Sequence, residues 1–576
     1  MTAASSAGSL TSVPVRPPAR PGAVLAVLIG AQLLIWIDNT ILNVALKTLA
    51  DPVSGLAATP EQLEWSLNSY TLTFAACMLA GGALGDRVGR RTTFMAGLVV
   101  FGAASGWAAW STTPESLIAA RAVMGLGSAL VVPSTLGLIR SVFPEGPQRS
   151  RAVALWSAAS GLAIAIGPLL GGLLLERFWW GSIFLVNVPV VLVALVAARV
   201  VVPEAGADRD PAAPPAPRVR LDIPGVLLSA TGLGLLVWGT IEGGRLGDWT
   251  AVQVWVPMLL GVLVLAVFTL VEVRSRTPGF DLALFGDRAF AAAGVGVALS
   301  FFGLVGSMYY SIFYLQGVRG LSPLECGVVL VPVAVGVLVG APSGMVLAAR
   351  VGPRVTAAPA VAVVALTLLG YAGLAEDTSL WLYAGLLLVQ GLAVGAATAP
   401  LTDAVVTVLP RDRAAGGAAL NAVLRQVGAV LGVAVLGSLL AATYRSEVAP
   451  VTEQLPAPLA EAVDRSAEAG RPALAEAGLE RLVPALDAAY LTAMHTTTVL
   501  AAAVALLGAV VVGVAMPGRR AWAAARESAA REPVRHGPVG QGPTAHGPGG
   551  HGPTAHQPVR RESVRHESPA REDLTP

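Results

Sequence analysis

Asp38 stands inside an unbroken apolar run, Leu33-Leu34-Ile35-Trp36-Ile37-Asp38-Asn39-Thr40-Ile41. A carboxylate held in hydrocarbon costs about 2.5 to 3.5 kcal/mol on insertion scales, so its presence there points to a task that needs an acid. Burial favours the neutral form of a carboxyl, and such a group can load a proton from one side and lose it when water or a cation arrives. Helical spacing places Asp38, Ile41, Leu42 and Ala45 on one stripe, so the acid faces protein if that stripe does. The bland alternative is a structural acid hydrogen-bonded to a neighbouring helix. A second charge, Arg121, lies in the apolar stretch Arg121-Ala122-Val123-Met124-Gly125-Leu126-Gly127-Ser128-Ala129. A guanidinium there either poises a nearby carboxylate toward ionisation or snorkels to the membrane interface.

The elements that carry these groups follow from the rest of the chain. Over 576 residues, 54% are hydrophobic and 13% charged, against roughly 25% charged in a soluble domain. Fourteen apolar runs cross the sequence between about Gly22 and Met516, each near the roughly 20 residues that span a bilayer. Among them are runs at 181–202, 290–315, 414–440 and 493–516. Basic residues gather in alternate loops: Arg87, Arg90 and Arg91; Arg140, Arg149 and Arg151; Arg209, Arg218 and Arg220; Arg274, Arg276 and Arg288; Arg350 and Arg354; Arg411 and Arg413. The other loops hold only Lys47, Arg177, Arg245 and Arg319, which predicts both termini in the cytoplasm. The net charge of +2 decides nothing by itself.

The loop Leu84-Gly85-Asp86-Arg87-Val88-Gly89-Arg90-Arg91 after the second run echoes Leu347-Ala348-Ala349-Arg350-Val351-Gly352-Pro353-Arg354 after the tenth. Gly85 and Gly89 suit a tight reversal between helices, while Arg90 and Arg91 suit an anionic membrane surface. The echo predicts two related six-helix halves with two further helices between them. In the fifth run, Ala159, Ala163, Gly167 and Gly171 recur every four residues beside Pro168 and Gly172, a pattern that lets another helix approach closely. Asn421, Arg425 and Gln426 in the thirteenth run, Gln390 in the twelfth and Asn43 in the first either line a path or tie helices together.

These motifs carry a resemblance. The Gly-x-Leu-Gly-Asp-Arg-x-Gly-Arg-Arg loop, the Asp38 helix, Arg121 and the Gly167-Pro168-Leu169-Leu170-Gly171-Gly172 segment together resemble the fourteen-span drug:proton antiporters of the major facilitator superfamily over residues 22–516. The chain departs from that pattern at Lys47, where a proline is usual, at Met124, where a glutamine is usual, and at Ala163, where a glycine is usual. The resemblance implies an all-α polytopic membrane protein with two six-helix bundles and two inserted central helices. It implies that Asp38 and Arg121 couple protons. It also implies that Gly85, Asp86, Arg87, Gly89, Arg90 and Arg91 form a gating loop, and that Gly167, Pro168, Gly171 and Gly172 mark an antiporter. Ala349 replaces the acid in the second loop copy, so any latch is expected to be asymmetric.

The expected organisation is a cytoplasmic segment at 1–21, a bundle at 22–202, a linker at 203–221, inserted helices at 222–271, a second bundle at 290–516 with an outer loop at 441–490, and a disordered cytoplasmic tail at 517–576. The tail repeats Gly542-Pro543-Thr544-Ala545-His546 as Gly552-Pro553-Thr554-Ala555-His556 and is too rich in Pro, Gly and charge to bury a core. The first apolar run lacks a small-residue cleavage site and reads as a retained span. Cys77 and Cys326 lie apart in apolar runs, so neither a disulfide framework nor a metal site is expected.

No phosphate-binding glycine loop ending in Lys-Ser or Lys-Thr occurs, which leaves an ion gradient as the drive and gives no reason to expect an enzyme or a cofactor. The expected activity is proton-coupled efflux of drugs or antibiotics by alternating access in a bacterial plasma membrane. Its partners would be membrane lipids, protons and a lipophilic small molecule, with no nucleic acid, and the working unit a monomer. Export of an endogenous metabolite, lipid or siderophore is the alternative within transport. A non-transporting membrane sensor or scaffold is the alternative outside it.

Overall fold

The computed structural model describes residues 21–143, 146–203, 222–275, 282–408 and 414–524. The first twenty residues, the bases Arg209, Arg218, Arg220, Arg276, Arg411 and Arg413, and the histidine-bearing repeats of the tail lie outside them. Fourteen helices among the described residues are long and apolar enough to cross a membrane, as the apolar runs predict.

The first half contains α1 (Pro21–Ala50), α2 (Pro60–Val88), α3 (Arg90–Ala109), α4 (Pro114–Val142), α5 (Pro147–Arg177) and a sixth span broken into α6 (Ser182–Leu185) and α7 (Asn187–Val201). Two further helices, α8 (Ile223–Leu246) and α9 (Val252–Arg274), pack on each other. The second half contains α10 (Arg288–Phe313), running into a π turn at Tyr314–Val318, then α11 (Pro323–Val351), α12 (Pro353–Tyr371), α13 (Leu380–Val408) and α14 (Ala414–Thr452). A short helical hairpin, α15 (Ala457–Arg465) and α16 (Ala467–Glu476), precedes the last span, α17 (Val483–Ala515).

The two halves repeat one packing scheme. In the first, α1 lies on α5, α2 on α4, and α3 on α4 and α7; in the second, α10 lies on α14, α11 on α13, and α12 on α13 and α17. The helix starts repeat as well. Thr59 and Gln62 close a reciprocal capping box on α2, Ser322 and Glu325 do the same on α11, and each helix has proline at its first position. At the far ends Gly89 and Gly352 sit at φ 112° and 95°, a region that a side chain would strain, and each joins two helices without a loop. Gly336, Gly340 and Gly344 let α11 lie directly on the backbone of α13 at Leu388, Leu392 and Ala396.

The expected outer loop at 441–490 is much shorter than its sequence suggests. Residues to Thr452 continue α14 and residues from Val483 begin α17, because alanine and leucine carry a helix past the apolar stretch that marks a span. The α15–α16 hairpin fills the interval, held by Arg471, which bonds Glu468 at 3.1 Å and Asp487 of α17 at 2.5 Å. Burial opposes the charge on Arg471, but these two carboxylates more than offset it and strengthen its hold on the proton.

Contacts between the halves gather at this hairpin end. Lys47 Nζ donates to the Gln316 carbonyl at 2.5 Å, and Gln316 Nε2 donates to the Val44 carbonyl at 2.9 Å. Ser322 donates to Glu176 at 3.2 Å, and α5 meets α11 where Gly172 faces Leu324. The opposite end carries the Asp86 loop.

Candidate functional site

α1 presents Asp38 to the interior of the first half, with the side chain wholly buried. Arg121, on α4, is buried to the same degree, so the interfacial alternative for this arginine does not apply. Its Nη1 donates to Asp38 Oδ2 at 2.6 Å. The other carboxylate oxygen accepts from Asn187 Nδ2 at 2.7 Å, and that amide also donates to Ser105 Oγ at 3.3 Å.

Arg121 is fixed from several sides. Its Nε donates to the Ser66 carbonyl at 3.2 Å, and its guanidinium lies 4.3 Å from the centre of the Tyr70 ring. The Tyr70 hydroxyl in turn meets Ser128 Oγ at 2.8 Å. Arg121 Nη2 has no hydrogen-bond partner among the described residues. The acid is thus supported and paired, and the cation has one donor to spare. Unpaired, either charge would be strongly unfavourable at such depth of burial.

Arg121 also borders a cavity between the halves. Trp36, Asn39 and Asn43 line it from α1, Asn68 and Thr71 from α2, Phe301 and Val305 from α10, and Gln426 from α14. It leaves about 50 Å³ for the centres of waters, room for a few of them and for nothing drug-sized. Of the polar residues singled out by sequence, Asn43 and Gln426 reach this cavity. Gln390 instead accepts from Tyr371 at 3.0 Å and donates to Ser307 at 3.1 Å, and Asn421 donates to Thr402 at 3.0 Å, so both tie second-half helices together. Arg425 places its guanidinium 5.0 Å from the Trp36 ring and 5.4 Å from the Phe301 ring.

In the Asp86 loop, Arg90 pairs with Asp86 at 2.5 Å and lies over Gly137 of α4, where any side chain would collide with it. Arg91 donates to the Arg199 carbonyl of α7 at 2.7 Å, and Arg87 is exposed. All of these partners belong to the first half. In α5, Gly167 and Gly171 meet Thr40 and Ile41 of α1, whereas Pro168 meets Gly327 and Gly172 meets Leu324, both of α11. The motif therefore touches both halves at once.

Sequence reasoning did not find Asn187, Ser105 or Glu64. Asn187 and Ser105 are small polar interruptions in apolar runs, with nothing in their spacing to tie them to Asp38. Glu64 lies two residues past the Thr59–Gln62 box and reads as an interfacial acid, yet it is 1% exposed.

The sequence profile of the Major Facilitator Superfamily matches residues 28–433. The multidrug efflux pump LfrA of Mycolicibacterium smegmatis is 34% identical over 503 residues, covering 87% of this chain and 97% of that protein. The methyl viologen resistance protein SmvA of Salmonella typhimurium is 34% identical, with 74% and 83% covered, and the tetracenomycin C resistance and export protein of Streptomyces glaucescens is 34% identical, with 73% and 75% covered. Among solved structures, a bacterial homolog of the human lysosomal transporter Spinster superposes with a TM-score of 0.60 at 17% identity, covering 88% of this chain and 98% of that one. The peptide transporter POT in complex with sulfate gives 0.56 at 14% identity, with 86% and 95% covered.

Proposed function

Because the chain belongs to the Major Facilitator Superfamily, we propose that it exports lipophilic drugs or antibiotics across a bacterial plasma membrane in exchange for protons, working as a monomer. The observation that carries this reading is the wholly buried Asp38–Arg121 pair beside a small polar cavity between the halves. A proton that reaches Asp38 cancels its charge and leaves Arg121 without a counterion. The guanidinium then gains by turning its free Nη2 toward cavity water or cargo, which loosens α1 from α4. Loss of the proton restores the pair. That exchange gives two packings of one bundle whose balance a proton sets.

In this reading the basic Asp86 loop faces the cytoplasm and the hairpin end faces outward, as the placement of basic residues favours. The cross-half contacts then seal the outer side, and cargo enters from within. Each proton carried inward draws about 2.3 kcal/mol from every 100 mV of membrane potential. The Asp86–Arg90 loop steadies the inner end of the first half, and the Gly167–Gly172 segment lets α5 slide against α1 and α11 together.

The test is uptake into inverted vesicles. An imposed proton gradient should drive accumulation of a lipophilic dye, and Asp38→Asn should abolish it at unchanged expression. Wild-type vesicles that accumulate none of a broad panel of compounds, or an Asp38→Asn variant that pumps normally, would overturn the proposal.

A further inference from the structure

Glu64 is a second buried carboxylate, on α2 at the hairpin end. Across the contact between halves it meets α14, where Ser438 Oγ donates to its Oε2 at 3.4 Å. Among the described residues it has no other hydrogen bond and no ion pair, a poor complement for a buried charge. Gly437 makes room for it: a methyl group there would stand 2.6 Å from Glu64 Oε1 and 3.0 Å from the Tyr309 ring.

The charged and titratable groups around it are otherwise engaged. On α2 itself, Glu61 lies 3.7 Å from Arg445 of α14, and Arg445 also donates to the Gly244 carbonyl at 2.5 Å. On α8, Glu242 and Arg245 pair with each other. On α10, Tyr309 donates to the Pro60 carbonyl at 3.4 Å, and on α17 Tyr490 donates to the Tyr310 carbonyl at 2.6 Å. Glu468 on α16 is held by Arg471. Among the described residues no cation pairs with Glu64: Arg445, whose charge does reach it, is turned to Glu61 and the Gly244 carbonyl instead.

We propose that Glu64 is a proton-operated bolt on the outer side: α2 closes on α14 only when Glu64 carries a proton taken from outside, and reopening returns that proton outward. The bolt rests on the orientation in the proposed export reading, but it is distinct from the Asp38 exchange and carries no net proton across the membrane. It makes the return of an emptied transporter to its inward-facing form depend on outside acidity. One proton bound on closing changes the closed-to-open ratio by at most tenfold per pH unit.

The experiment uses the full chain in right-side-out vesicles, with Cys77 and Cys326 replaced by serine and a reporter Ala441→Cys on α14, which lines the pocket under the hairpin with Leu63. Labelling by a membrane-impermeant maleimide, corrected for the reagent's own pH dependence on an exposed reporter cysteine, should rise as outside pH is raised from 5 to 8. Glu64→Gln, which copies the neutral acid, should stay low and flat across that range, and Glu64→Ala should also be flat. The readout is labelling and not transport, so it does not require Asp38 to couple protons, and a failure of the Asp38 reading leaves this test intact. A pH response unchanged in both Glu64 variants, or no response in the parent, overturns the bolt.

Discussion

Asp38 and Arg121 meet at 2.6 Å with neither side chain exposed, although 82 residues of chain separate them. Removing one member leaves the other buried and uncompensated, at a cost of about 3 to 5 kcal/mol, whereas removing both costs much less. Asp38→Asn should therefore lower the melting temperature of the purified protein, and Asp38→Asn with Arg121→Gln should recover most of the loss. Thermal unfolding in detergent followed by tryptophan fluorescence checks this; equal melting temperatures for the single variant and wild type would contradict it.

Gly172 sets how closely α5 approaches α11. A methyl group there would stand 2.6 Å from both Leu324 Cα and the Pro323 carbonyl. Gly172→Ala should force the hairpin ends of these helices apart. Spin labels at Arg177 and Leu321 should report a longer distance in the variant, with slower export in vesicles.

Arg425 occupies an aromatic cleft between Trp36 and Phe301. Its guanidinium competes there with any planar cation, at about 0.5 to 2 kcal/mol for such stacking. Arg425→Ala should tighten binding of a planar aromatic cation several-fold, while Arg425→Lys, without the flat guanidinium, should fall between. Fluorescence titration measures both. Weaker binding in the alanine variant would mean that the arginine holds the cleft in shape.

Asp51 closes the turn after α1, accepting from the amides of Val53 at 2.8 Å and Ser54 at 2.9 Å. Slight burial opposes its charge, but these hydrogen bonds and the charge on Lys47 prevail and hold it below the ordinary carboxylate range. A depressed folded value stabilises the turn above the unfolded value, near 3.9, and that stability is lost only as pH falls through the folded value. Hydrogen exchange at the Ser54 amide, corrected for its intrinsic rate, should show constant protection from pH 5 to 7 and loss of it in Asp51→Ala.

Much of this is legible in the sequence. The fourteen spans follow from apolar length alone, and Asp38 and Arg121 stand out because hydrocarbon tolerates few charges. The repeat was visible in the Gly89 and Gly352 loops, and it was also written at the opposite helix ends, in Thr59-Pro60-Glu61-Gln62 and Ser322-Pro323-Leu324-Glu325. What stayed hidden was which polar residue faces which. Asn187 meets Asp38 from 149 positions away, a pairing that depends on how α7 is docked and leaves no periodic trace. Glu64 looks solvated because burial at the end of a span is decided by the partner helix, here α14, and not by its own neighbours.

The glycines at 336, 340 and 344 have a mechanical consequence. Backbone laid on backbone has no side chains between to rearrange, so α11 and α13 behave as a single plank, with little give between its two boards. Movement is then left to the seams where planks abut. The seam between α5 and α11 and the seam between α2 and α14 become the places where a few atoms, such as one methyl at residue 172 or one proton at residue 64, set the posture of the whole molecule.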